Sequence, residues 1–189
     1  MKQTIRLLLS GLLTLIIVGS HAQVDMNSGH KMTRQEKKLA EKKQKEKEWK
    51  LLQELAEEKS YIVQFSRFTN TRNGKIYNLN RRLNFIAVNG DRVIIQVETN
   101  QYLSDNGLGG ITIDGTINNY KFQEPKNNKG AIKINFNVSS ETTFRGTNIN
   151  ITVGKDGFAT ITVGNSPLIV GDFMNPKDSD INLGVTFWN

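Results

Sequence analysis

The sequence predicts a mainly β protein, an antiparallel meander that forms a small barrel or rolled sheet, preceded by one long charged α-helix. Two observations carry this. Near residue 60 the apolar pattern changes from helical spacing to alternation, and from there turn-forming residues recur roughly every 8–12 positions. The length, 189 residues, suits one domain with its own core plus appendages. Closure is the preferred architecture because it removes the exposed edges a sheet would otherwise have to protect, and a two-sheet sandwich is the close alternative.

The chain opens on an export signal. Lys2 and Arg6 give a basic start, residues 7–18 are apolar, and Ser20-His21-Ala22 supplies small residues where a signal peptidase reads, so cleavage is expected between Ala22 and Gln23. The apolar stretch falls short of the ~20 residues needed to span a bilayer, and nothing later in the mature chain is long and apolar enough to span one as a helix. The cysteine count is zero, which excludes disulfides, thiol nucleophiles and acylation at a cysteine. An exported β-domain without disulfides points to a bacterial envelope, periplasmic or secreted. The expected division is signal 1–22, flexible lead 23–32, charged helix 33–59, β-domain 60–173 and a tail 174–189 with a short final strand at 185–188.

Thr33-Arg34-Gln35-Glu36 has capping-box spacing, and strong helix formers carry the pattern to residue 59. The two halves of this helix differ. Leu39 and Ala40 are the only apolar residues from 37 to 47, whereas Trp49, Leu52 and Ala56, flanked by Leu51 and Leu55, form a stripe that can dock on the β-domain. Glu41 with Lys45 and Glu46 with Lys50 are expected i,i+4 pairs. The first half is a solvated spacer or a partner-facing arm. Strands are expected at 62–68, 75–79, 84–88, 92–98, 111–113, 116–122, 131–138, 143–153, 158–163 and 168–172. Asn89-Gly90-Asp91 marks a hairpin, and Gly154-Lys155-Asp156-Gly157 a tight turn. Ile132, Ile134, Phe136 and Val138 alternate with Lys133, Asn135 and Asn137, giving one apolar and one wet face.

Chemistry is narrowed mainly by what is missing. The two histidines, His21 and His30, lie ahead of the folded part, which removes imidazole-based catalysis and histidine zinc sites; no phosphate loop or dinucleotide fingerprint is present. The formal charge of +7 falls to +5 without Lys2 and Arg6, and residues 31–59 hold ten basic and seven acidic side chains, too mixed in sign for a nucleic-acid surface. No metal site and no cofactor are expected. The remaining carboxylates, among them Asp91, Asp114, Asp156, Asp172 and Asp180, fall mostly at turns, where Asp is favoured for local hydrogen bonding. A polar ligand or partner site is placed near the loop 100–110, with Tyr102, Asn106, Leu108 and Tyr120 as its residues.

The segments Asn84-Phe85-Ile86-Ala87-Val88, Ile94-Ile95-Gln96 and Asn106-Gly107-Leu108-Gly109-Gly110-Ile111-Thr112, continuing through Gly115-Thr116-Ile117 to Tyr120, resemble the domain-of-unknown-function 4251 family of exported Gram-negative bacterial proteins. The resemblance runs from the charged helix to about residue 173. It implies export and this architecture, and it supplies no catalytic residue. The chain departs from the family's aromatic and glycine-rich loop at Tyr102-Leu103-Ser104-Asp105, and it lacks the lipid-attaching cysteine of some members. The expectation is a noncatalytic exported module that binds a partner protein or envelope component. Two alternatives are a barrel holding an apolar or glycan-like ligand inside and an envelope hydrolase working through two carboxylates.

Overall fold

A computed structural model describes residues 32–70, 73–98, 110–126, 130–140, 145–164 and 168–182. The expected signal peptide, the lead up to residue 31, most of the loop 100–110 and the final strand at 185–188 lie outside the described residues. One helix, α1 (Arg34–Glu57), precedes β1 (Ser60–Thr69), β2 (Ile76–Asn78), β3 (Phe85–Asn89), β4 (Arg92–Glu98), β5 (Gly110–Gln123), β6 (Ile132–Ser139), β7 (Arg145–Val153), β8 (Phe158–Val163) and β9 (Leu168–Met174).

Every strand pairing is antiparallel, and β9 returns to pair with β1 over Ile62↔Met174 to Thr69↔Leu168, so eight strands close a barrel in the order β1-β3-β4-β5-β6-β7-β8-β9. The short β2 shares an edge of β1 with β3: β1 pairs with β3 at 60–64 and with β2 at 67–69. The sandwich alternative is thereby excluded. The expected β3–β4 hairpin forms, and its turn is two residues rather than three, because Asn89 pairs opposite Arg92; Gly90 sits at φ 58°.

Alternation sends one set of side chains inward on each strand. Tyr61, Val63, Phe65, Ile86, Val88, Val93, Ile95, Ile132, Ile134, Phe136, Val138, Ile149, Ile151, Val153, Ala159, Ile161 and Phe173 form one buried cluster that fills the barrel. A smaller second cluster lies on the outside. Ile62, Phe85, Ala87 and Ile94, on the outer faces of β1, β3 and β4, are buried and packed by Met174 and Ile181. The segment after β9 is therefore a strap rather than a free loop. It turns through one 3-10 turn at Pro176–Asp178 and is tied down by Asp180, which accepts from the buried Gln64 side chain at 2.7 Å, and by Asn182, whose amide donates to the Arg82 carbonyl at 3.0 Å.

The expected strands 111–113 and 116–122 are one strand. β5 runs unbroken past Asp114-Gly115, and a Cβ on residue 115 would lie 2.8 Å from Val138 Cγ1, so glycine here admits a close neighbour instead of ending the strand. A register shift between Asn118 and Lys121, with Asn119 at φ 55°, marks a bulge. The bulge changes the parity of the strand. Ile113 and Ile117 face inward before it, and Tyr120 and Phe122 pack against the core after it.

Candidate functional site

The capping box forms as expected: the Glu36 amide donates to Thr33 Oγ1 at 3.3 Å, and the Thr33 amide donates to Glu36 Oε2 at 2.7 Å. From the N-cap Thr33 through Glu48 every residue is exposed; burial begins at Trp49, 5% exposed, and continues with Leu55 and Ala56. The ion pairs along α1 run opposite to the expected ones, Lys42 with Glu46 at 3.9 Å and Lys50 with Glu54 at 3.6 Å. Glu46 has a lysine four residues to either side and both are solvated, so only a few tenths of a kcal/mol separate the choices.

Three anchors show how the C-terminal half of α1 closes the barrel. Lys59, in the left-handed region at φ 55°, ends the helix, pairs with Asp91 Oδ1 in the β3–β4 turn at 2.7 Å and lies 5.2 Å over the Tyr120 ring. The Tyr120 hydroxyl donates to the Ala56 carbonyl at 2.5 Å, satisfying one of the acceptors that a helix end leaves free. Leu52 lies against Gly157 in the β7–β8 turn, where an added Cβ would stand 3.7 Å from Leu52 Cδ1. In the strand order these two turns are on opposite sides of the barrel, so α1 crosses the mouth along a diameter.

Tyr120 is thus part of the plug. It is half-buried, stacks on Phe136 at 5.9 Å between ring centroids, and is committed through its hydroxyl, while Tyr102, Asn106 and Leu108 lie outside the described residues. Burial pushes the Tyr120 phenol up to about 12. Burial first, and the nearby Tyr120 second, push Tyr61 well above 10.0; its hydroxyl and the indole N–H of Trp49 are both buried without a hydrogen-bond partner.

Among the described residues, Asp91, Asp114, Asp156, Asp172 and Asp180 are each engaged by a cation, a side-chain amide or the backbone. Arg92 grips Asp114 with two bonds, Nε to Oδ1 at 2.9 Å and Nη2 to Oδ2 at 2.5 Å, which holds that carboxyl below its ordinary 3.8. Asp180 is lowered chiefly by the Gln64 amide, with Arg82 and Arg81 adding to it; Arg81 itself pairs with Asp172 at 2.5 Å. Asp156 accepts from the Phe158 amide at 3.2 Å within its turn. A carboxyl serving as a general acid near neutral pH needs the opposite shift. Among the described residues, no group of three or more His, Cys, Asp or Glu side chains is arranged to hold a metal ion.

The outer face of β5 to β8 carries a feature that alternation alone does not explain. Asn118, Asn137 and Asn148 lie side by side across three strands, and Asn135, Asn150 and Thr162 form the adjacent row. Their side chains are linked: Asn135 Nδ2 donates to Asn150 Oδ1 at 2.6 Å, Asn150 Nδ2 to Asn148 Oδ1 at 2.6 Å, and Asn148 Nδ2 to Asn137 Oδ1 at 3.2 Å. Thr152 and Thr160 extend this wall towards the α1 end of the barrel. Elsewhere, a cleft of about 620 Å³ lies between the C-terminal end of α1 and the strap, lined by Leu55, Glu58, Ser60, Asn89, Asn175, Pro176 and Lys177.

Fold and surface together define a closed antiparallel β-barrel filled by its own side chains and plugged by a helix. The chain belongs to the family described as Domain of unknown function (DUF4251), whose sequence profile matches residues 41–167. It is similar to the crystal structure of a DUF4251 family protein from Bacteroides eggerthii, with a TM-score of 0.57 and 24% identity over 70% of this chain and 91% of that chain, a likeness that speaks for the fold alone. No curated protein matches the chain.

Proposed function

We propose that this chain is an exported, noncatalytic module that recognises an envelope component with its outer surface, the free half of α1 holding the barrel away from whatever precedes it. The observation that carries this reading is the division of α1: residues up to Glu48 are wholly exposed and those from Trp49 close the barrel. A helix segment polar on all sides gains little by packing, so its natural uses are as a spacer or as a contact surface. Export rests on the basic and apolar opening of the sequence and the small residues at Ser20 and Ala22.

The interior-ligand alternative loses its physical basis because Tyr61, Phe65, Phe136 and a layer of isoleucines occupy the space a ligand would need. The hydrolase alternative is weakened by carboxylates that arginines and a buried glutamine hold in the ionised form. Crosslinked capture from native envelopes tests the reading, using the chain from Gln23 and a form lacking 23–47. Recovery of one envelope component by the longer form, reduced for the shorter, is the expected result. Recovery of none by either form refutes the proposal.

A further inference from the structure

The charge of the free half of α1 is one-sided. From Arg34 to Glu48 there are seven basic and four acidic residues, a net +3. The side that continues the docked stripe of Trp49, Leu52, Leu55 and Ala56 holds Arg34, Lys37, Lys38, Lys42 and Lys45 against Glu41 and Glu48, which is +3. The other side holds Lys43 and Lys47 against Glu36 and Glu46, which is zero. The whole excess therefore sits on the side facing the barrel's end of the molecule, because a helix keeps its face in register through steps of three and four residues.

The path of α1 places this row. Running back from Lys59 at the β3–β4 turn, past Tyr120 to Leu52 at the β7–β8 turn, the helix crosses the rim there, and 34–48 continue about 22 Å beyond it. The barrel wall below that rim is the asparagine and threonine face of β6, β7 and β8. It is rich in amide donors and acceptors and carries Lys133 beside Thr152, with Lys121 of β5 beside Asn135, although Asn is depleted from strand centres for reasons of stability. The hydrogen bonds among Asn135, Asn150, Asn148 and Asn137 hold these amides as a fixed array on the outer face.

We infer that the basic row of α1 and the amide wall bound one recess that takes an extended acidic polysaccharide, anions on the lysines and hydroxyls on the asparagines. A flat bilayer is a poor fit, since the row faces the barrel side and the wall stands in the way. A peptide strand is a poor fit as well, since this part of the closed barrel offers no free edge and the wall no apolar pocket. The inference rests on the outer-surface reading above and narrows it to one surface and one ligand class.

Affinity electrophoresis of the intact mature chain in polygalacturonate, with dextran as the uncharged comparison, tests it. Retardation by polygalacturonate alone is expected, weakened about tenfold by K38Q/K45Q. The matched variant K43Q/K47Q, with the same loss of charge from the opposite side, is expected to stay close to the parent, and N135A/N150A to weaken binding several-fold. No retardation, or equal effects of the two lysine pairs, overturns the inference. An effect of K38Q/K45Q with none of N135A/N150A overturns the shared recess. In each of these cases capture of an envelope component by the same chain leaves the broader reading standing.

Discussion

Removing the indole of Trp49 measures how firmly α1 closes the barrel. Trp49 is 5% exposed and belongs to the same cluster as Tyr61, Phe136 and Ile151, so Trp49→Ala opens a void at the mouth. Truncating a buried aromatic to alanine costs about 3–5 kcal/mol, and the buried indole N–H, which has no partner here, offsets part of that, giving about 3 kcal/mol net. For a chain of this size that lowers the unfolding midpoint by about 6–12 °C. Trp49→Phe keeps most of the apolar contact and removes the unpaired donor, so it should stay within about 1 kcal/mol of the parent. Thermal and urea unfolding followed by circular dichroism reads both. A midpoint for Trp49→Ala within about 2 °C of the parent refutes the account of α1 as a plug.

Other perturbations follow from the same contacts. A Cβ at Gly171 collides with the Gln64 carbonyl across the β1–β9 seam, so Gly171→Ala should cost about 3 kcal/mol in urea unfolding, and an unchanged midpoint contradicts the tight closure. Asp114 and Asp180 have lowered folded-state pKa values, so their stabilisation is complete above the ordinary 3.8 and is lost as pH falls through the lowered values; D114N/D180N should flatten that acid limb. Tyr120 is raised to about 12, so its contribution is complete below 10.0 and is lost as pH rises towards 12, a limb that Tyr120→Phe should diminish while costing about 1 kcal/mol for the Ala56 bond.

Much of the barrel was legible because alternation and turn residues are local signals. The strands 92–98 and 158–163 coincide with their predicted limits, and Gly90 sits where the hairpin needs positive φ. Closure was legible only as a preference, since the β1–β9 pairing joins residues about a hundred positions apart. The bulge at Asn119 left a trace, the move of apolar positions from Ile113 and Ile117 to Tyr120 and Phe122, and reading that shift assigns Tyr120 to the plug. The strap was not legible. Met174 and Ile181 are isolated apolar residues in a polar segment, and their role depends on the outer patch of Ile62, Phe85, Ala87 and Ile94, which alternation alone assigns to solvent. The asparagine rows were visible as wet faces, but their register across β5 to β8 needed the pairing.

Amide hydrogen exchange resolved along α1 tests the division of that helix most directly. Amides from Lys50 to Glu58 should be protected to the level of the barrel strands, because exposing them requires unplugging the mouth, while those from Lys37 to Lys47 should exchange at the rate of a solvated helix. Uniform protection along α1, or rapid exchange in both halves, would contradict a plug that continues as a free arm.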